Sequence, residues 1–194
     1  MAEAVEIYEV GPRDGLQNEP REIATADKIA LVDALSDAGF RRIECASFVN
    51  PKWVPQMAGS ADVLAGIRRA RGVRYAALTP NVHGYQDAMR AGADEVAVFG
   101  SASDSFSRAN VNASADEALE RFIPIVEAAR SIDMPVRGYV SCVVECPFEG
   151  ATDPGAVARV ADRLFAMGCY EISLGETLGH ASADSIARML LSVR

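Results

Sequence analysis

The sequence has no basic block, no long apolar run and no closely spaced cysteine pair, and each absence removes a class of function. With 19 Lys and Arg against 27 Asp and Glu, its formal net charge is −8. It therefore lacks the cationic footprint of a general nucleic-acid or anionic-membrane binder, and an anionic ligand would need a local cationic pocket. No apolar stretch approaches the roughly 18 residues of a membrane span. Residues 1–4 lack the positive start and apolar run of a signal peptide, which makes the cytoplasm the expected compartment. Cys45, Cys142, Cys146 and Cys169 form no CxxC pair, so reduced and mostly buried thiols are expected. The two histidines, His83 and His180, make no paired metal motif. No histidine follows Cys142 and Cys146 at zinc spacing either. Without a Gly/Ser-rich linker, residues 1–194 read as one domain.

What is present is an alternation. Hydrophobic residues make up 49% of the chain and charged ones 24%, enough for a substantial core. Short apolar runs at residues 5–10, 43–46, 73–78, 95–99, 136–140 and 170–174 read as strands. Segments of helical period follow each of them, at 25–38, 61–71, 82–91, 115–131, 154–167 and 183–191. Thr25 is the expected cap of the first helix, and the "AGF", "AGA" and "MGC" stretches each close a helix before a strand. Near-continuous apolar strands joined by helices require parallel pairing. The fold is then an α/β doubly wound sheet or a (β/α)8 barrel. A barrel typically takes about 250 residues, so six strand-helix units would be a truncated one.

Both folds place ligands at the carboxyl ends of strands, where the unusual polar residues gather. These are Arg13 and Asp14, Glu44 and Ser47, Thr79 and Asn81, Ser101, Ser103 and residues 110–112, Ser141, Ser173 and Glu176. A carboxylate buried there must be paired, protonated or bound to metal. Asp14 with Glu44 could hold or position a hard cation, and Arg13 could bind a carboxylate or meet an enolate through its forked donors. A salt-bridge ring stapling strand ends is the structural alternative. His83 reads as a solvated or capping residue, while His180 could face the mouth. The loop 47–57, with the chain's single Trp, reads as a hydrophobic cover or as a wall that excludes water.

The phrases "VGPRDGLQNE", "IECASFVNPKWVPQM", "LTPN", "VAVFGSAS", "RGYVSCVVECPFEG" and "GCYEISLGETLG" together resemble the 3-hydroxy-3-methylglutaryl-CoA lyase family. These enzymes are (β/α)8-barrel metalloenzymes, grouped with isopropylmalate and homocitrate synthases. The resemblance implies a pyruvate carboxyltransferase-like TIM-barrel domain of which this chain holds about six βα units. It implies cleavage of the acyl-CoA substrate to acetoacetate and acetyl-CoA with Mg2+ or Mn2+. Asp14 matches the metal-ligating aspartate, Arg13 the arginine that stabilises the enolate, and Glu44 a mouth glutamate that holds the cluster. Ser47 and Glu176, with Arg13, are expected to bind substrate, and a homodimer is compatible with this reading.

The chain also departs from the family's pattern. The family's His-x-His ligand pair, glycine-rich loop cysteine and later Asn ligand have no counterpart here, so the isolated chain is expected to be inactive. Glu176 stands where the family has aspartate and Glu145 where it commonly has glycine, changes expected to loosen substrate geometry. Two other functions compete with the lyase: a related aldol or Claisen enzyme acting on another acyl-CoA, and a noncatalytic module that uses its open edge to bind a partner.

Overall fold

A computed structural model describes residues 4–193. Residues 1–3, part of the stretch read for a targeting signal, and residue 194 lie outside the described residues. The chain divides into two compact units between Val96 and Ala97.

In the first unit the strands β1 (Tyr8–Glu9), β2 (Arg42–Ser47) and β3 (Arg74–Leu78) are joined by α1 (Thr25–Asp37) and α2 (Ser60–Gly66). Helix α3 (Val82–Arg90) then leads to the first residues of β4 (Glu95–Ser101). Both strand pairings, β1 with β2 and β2 with β3, are parallel. β2 is buried along almost its whole length, as a parallel strand covered on both faces must be. Val32 of α1, Ile43 of β2, Val63 and Leu64 of α2 and Tyr75 of β3 fill the core. The Tyr75 hydroxyl is placed there by Ser36 Oγ at 2.9 Å.

In the second unit, the remainder of β4 is followed by α4 (Asp104–Val111), α5 (Ala115–Glu120), α6 (Ile123–Arg130) and β5 (Val136–Ser141). A small antiparallel pair, β6 (Glu145–Cys146) and β7 (Gly150–Ala151), precedes α7 (Pro154–Met167), β8 (Glu171–Leu174) and α8 (Ala183–Ser192). β5 and β8 pair in parallel. Strand order follows chain order within each unit. Sequential order is what a truncated (β/α)8 barrel requires, since each of its strands pairs with its chain neighbours.

The glycines of the three helix-closing stretches, Gly39, Gly92 and Gly168, all have positive φ, as expected. Several boundaries moved. The strand expected over 5–10 shrinks to Tyr8–Glu9, because residues 11–15 wind into a π-helical turn. Ala24, not Thr25, occupies the cap position of α1, and no side chain caps it. The helix expected over 61–71 stops at Gly66: Ile67 is extended, and Asp33 takes the backbone N–H of Arg68 at 2.8 Å. The helix expected over 115–131 is two, since Pro124 in the first turn of α6 has no N–H to continue α5. Helix α4 and the β6/β7 pair were not expected at all.

Charged residues are buried where the first unit's strands begin. Glu95 has no solvent exposure; the Tyr8 hydroxyl donates to its Oε1 at 2.9 Å, and Arg42 Nη2 lies 3.7 Å away. The Arg42 guanidinium also lies over the Tyr8 ring, 4.5 Å from its centroid. Removing one partner of such a group strands the other charge. Glu95→Ala is therefore expected to lower unfolding stability by roughly 3 kcal/mol, seen as a lower urea midpoint with an unchanged m value. A loss below about 1 kcal/mol would show that the group is solvated.

Candidate functional site

In the first unit the site is built on the turn after β1. Pro12 fits a first-turn position, where its missing N–H is not needed. The Val10 carbonyl accepts from the backbone N–H groups of both Arg13 and Asp14, at 3.0 and 2.7 Å. This tight winding turns Arg13 inward, where it is buried, and leaves the Asp14 side chain 57% exposed. Glu44, in the middle of β2, is fully buried. The strand register shifts between Glu44 and Ala46, a bulge of the kind that re-aims side chains beside a site.

Arg13 joins the two carboxylates. Its Nε donates to Glu44 Oε1 and its Nη1 to Asp14 Oδ1 at 2.7 Å. The three side chains named together at the sequence level are thus one cluster, with one guanidinium between two carboxylates. Their summed formal charge is one negative, so the cluster keeps a net anionic character after Arg13 is counted. Asp14 alone combines exposure with an anionic oxygen suited to a hard cation. Among the described residues no three His, Cys, Asp or Glu side chains converge to hold a metal. The residues present supply one donor and do not complete a metal site.

Ser47 is buried. Its backbone N–H donates to Ser60 Oγ, and its carbonyl accepts from the same hydroxyl. The Ser47 Oγ is itself enclosed without a hydrogen-bond partner. Asn81 caps α3 by accepting from the Gly84 N–H at 2.8 Å. His83 faces solvent and lies 3.6 Å from Asp87, matching the solvated reading. Trp53 is 84% exposed.

In the second unit, the loop after β8 folds onto itself. The Glu176 carboxylate accepts from the backbone N–H groups of Leu178 and His180, at 3.4 and 3.1 Å. His180 Nδ1 lies 3.6 Å from Glu145 Oε2. Both unusual carboxylates therefore meet at His180.

Thr177 was not singled out by its position in the sequence. Its hydroxyl accepts from the Cys142 N–H at 2.8 Å and so ties the β8 loop to Cys142, which has φ +59°. Ser103, Cys146 and Glu149 also form a cluster that no spacing signalled. The Ser103 hydroxyl contacts Cys146 Sγ at 2.9 Å and Glu149 Oε2 at 2.7 Å, and it caps α4 through the Phe106 N–H.

A family model described as HMGL-like matches residues 4–194. A 3-hydroxy-3-isohexenylglutaryl-CoA/hydroxymethylglutaryl-CoA lyase of Pseudomonas aeruginosa is 55% identical over 193 residues, covering 100% of this chain and 64% of the relative. A cytoplasmic 3-hydroxy-3-methylglutaryl-CoA lyase of Danio rerio is 56% identical over 97% of this chain and 56% of its own length. The crystal structure of hydroxymethylglutaryl-CoA lyase from Pseudomonas aeruginosa superposes with a TM-score of 0.95 at 57% identity, covering 97% of this chain and 63% of that one. The chain thus spans less than two thirds of the length of these relatives. No helix among the described residues is long and apolar enough to cross a membrane.

All four cysteines are free and buried. Burial pushes the Cys45 thiol up to about 12, with Glu44 adding to it, and burial alone does the same at Cys169. Burial also raises Cys142. At Cys146 burial acts in the same direction, but the Ser103 hydroxyl and the backbone N–H groups of Phe148 and Glu149 outweigh it and hold the thiol below its ordinary value. Because the thiolate is the reactive form, a brief pulse of a small neutral alkylating reagent at about pH 8 should label Cys146 ahead of the other three. Mass spectrometry reads the order, and labelling of Cys45 or Cys169 first would contradict it.

Proposed function

Because the chain belongs to the HMGL-like family, we propose that it carries the amino-terminal part of a 3-hydroxy-3-methylglutaryl-CoA lyase, which cleaves its acyl-CoA substrate to acetoacetate and acetyl-CoA. The observation that carries this reading is the buried guanidinium of Arg13, gripped by Glu44 on one side and Asp14 on the other. The reaction is a retro-Claisen cleavage. The tertiary hydroxyl loses its proton, the carbon-carbon bond breaks, and negative charge moves onto the thioester oxygen. A donor fixed in advance where that charge develops is worth far more than one that must reorient.

Arg13 meets that requirement, since neither of the bonds that orient it depends on substrate. Glu44 acts through Arg13 and positions it. Asp14 is the residue suited to contribute one oxygen to a Mg2+ or Mn2+ ion, which when bound would polarise the substrate oxygens. We assign the remaining metal ligands, and the base that accepts the hydroxyl proton, to a segment outside these 194 residues. Ser47 and Glu176 are proposed to shape the substrate pocket, Ser47 through the strand end it fixes and Glu176 through the loop it holds. Because His180 ties Glu176 to Glu145, the two departures act together. Four free, buried thiols suit a reducing compartment such as the cytoplasm.

The direct test compares the 194-residue chain with one joined to the carboxyl-terminal third of the Pseudomonas aeruginosa relative. With Mg2+ and 3-hydroxy-3-methylglutaryl-CoA, acetoacetate should form only in the joined chain. Arg13→Met in that chain should lower kcat by about 100-fold to 1,000-fold with a smaller change in KM. Turnover by the short chain would overturn the assignment of ligands and base. An unaffected Arg13→Met would remove Arg13 from the mechanism.

A further inference from the structure

At the opposite end of β2 from the site, where β2 and β3 begin, an open pocket of about 440 Å³ is lined by Glu6, Arg41, Arg42, Gly72 and Arg74. Three guanidinium groups around one pocket run against the composition of a chain with net charge −8.

The strand pairing fixes their arrangement. Arg42 and Arg74 are register partners on adjacent parallel strands, and the Arg74 N–H donates to the Arg41 carbonyl at 2.8 Å. Like charges placed opposite one another in a sheet repel, so this register carries a cost unless something anionic offsets it. Glu6, the single acid in the lining, accepts from Arg42 Nη1 at 3.2 Å, and Arg42 also reaches Glu95. Those carboxylates answer Arg42. Arg41 and Arg74 are exposed, and among the described residues neither has a carboxylate within 4.0 Å. At Gly72, which has φ +78°, a side chain would begin 3.1 Å from Arg41 Nη1, so the glycine leaves that guanidinium its place at the pocket wall.

From this geometry we infer that the pocket is a binding site for a small diphosphate-bearing anion, with Arg41 and Arg74 as its principal donors and Arg42 as its fixed wall. The forked donors of arginine match phosphate oxygens, and two such groups, one just before β2 and one at the start of β3, suit an anion that carries charge on two adjacent phosphoryl groups. Pairing with the ligand would also offset the charge that Arg74 places opposite its register partner Arg42. The site lies at the amino ends of the strands and is separate from the Arg13 cluster, so it does not depend on the proposed lyase reaction.

The test is calorimetric titration of the 194-residue chain with inorganic pyrophosphate at low salt. R41A/R74A is compared with R71A, which removes an exposed arginine outside the pocket. Pyrophosphate should bind the native chain and R71A equally, and at least about tenfold more weakly to R41A/R74A, with circular dichroism unchanged in all three. Binding to the native chain should weaken as salt is raised. Adenosine diphosphate forms the second arm. Equal affinity for the two ligands assigns the site to the diphosphate group alone, and tighter binding of the nucleotide assigns it to a nucleotide. Absence of binding, equal binding to R41A/R74A, or equally tight binding of citrate would overturn the inference.

Discussion

Glu44 sits without solvent contact in the middle of a parallel strand, and its charge is tolerable there because Arg13 Nε donates to it. Desolvating an unpaired carboxylate costs several kcal/mol, so the pair ties two elements together. The turn after β1 must bring Arg13 to β2, and β2 must present Glu44 rather than a neighbouring residue. The local structure serves both demands. The π-helical winding of Gly11–Gly15 turns Arg13 inward, and the register shift after Glu44 sets the strand's aim. Asp14, the next residue, then stays in solvent with one oxygen on Arg13, where it can still meet a cation. Burial of one residue and exposure of the next leaves Arg13 fixed against Glu44 and the Asp14 carboxylate in reach of solvent.

The second unit shows how a chain can absorb unusual residues at a sensitive loop. Glu176 reaches further than an aspartate and spends that reach on two N–H groups of its own loop. Glu145 adds a carboxylate beside an imidazole that arrives from that loop. Both Glu145 and His180 are partly exposed, so their pair contributes little stability. Its effect is to set where the loop rests. Both changes are expected from the sequence to loosen substrate geometry, and the structure adds that they meet at His180.

Strand and helix order was legible because hydrophobic period reports which face is buried, and a parallel sheet gives the clearest version of that signal. Element ends were less so. The stop at Gly66 depends on Asp33, a residue 35 positions from the Arg68 N–H it accepts, and no local pattern encodes such a partner. The split between α5 and α6 was readable from Pro124 and was missed because the apolar stripe continues across it. In the site, Arg13, Asp14 and Glu44 stood out as charges where strands end. Thr177 did not, and Ser103, noted as one strand-end hydroxyl among several, gave no sign of its contacts to Cys146 and Glu149, because a hydroxyl in a loop carries no signal until the fold shows which N–H or thiol it faces.

β2 also shows why charge is retained inside this unit. Arg42 and Glu44 are two residues apart and so share a face of the strand, yet each is satisfied by a different element: Arg42 by Glu6 and Glu95, Glu44 by Arg13. Slipping the strand by one residue would turn both charges to the opposite face and take them from their buried partners, Glu95 and Arg13. An apolar strand of equal volume could be as stable, but it would tolerate several registers. Alternating charges that each recognise a separate partner tolerate one. The pairs that hold Arg13 in place therefore also fix the strand register that brings Arg41, Arg42 and Arg74 together at the other end of the same sheet.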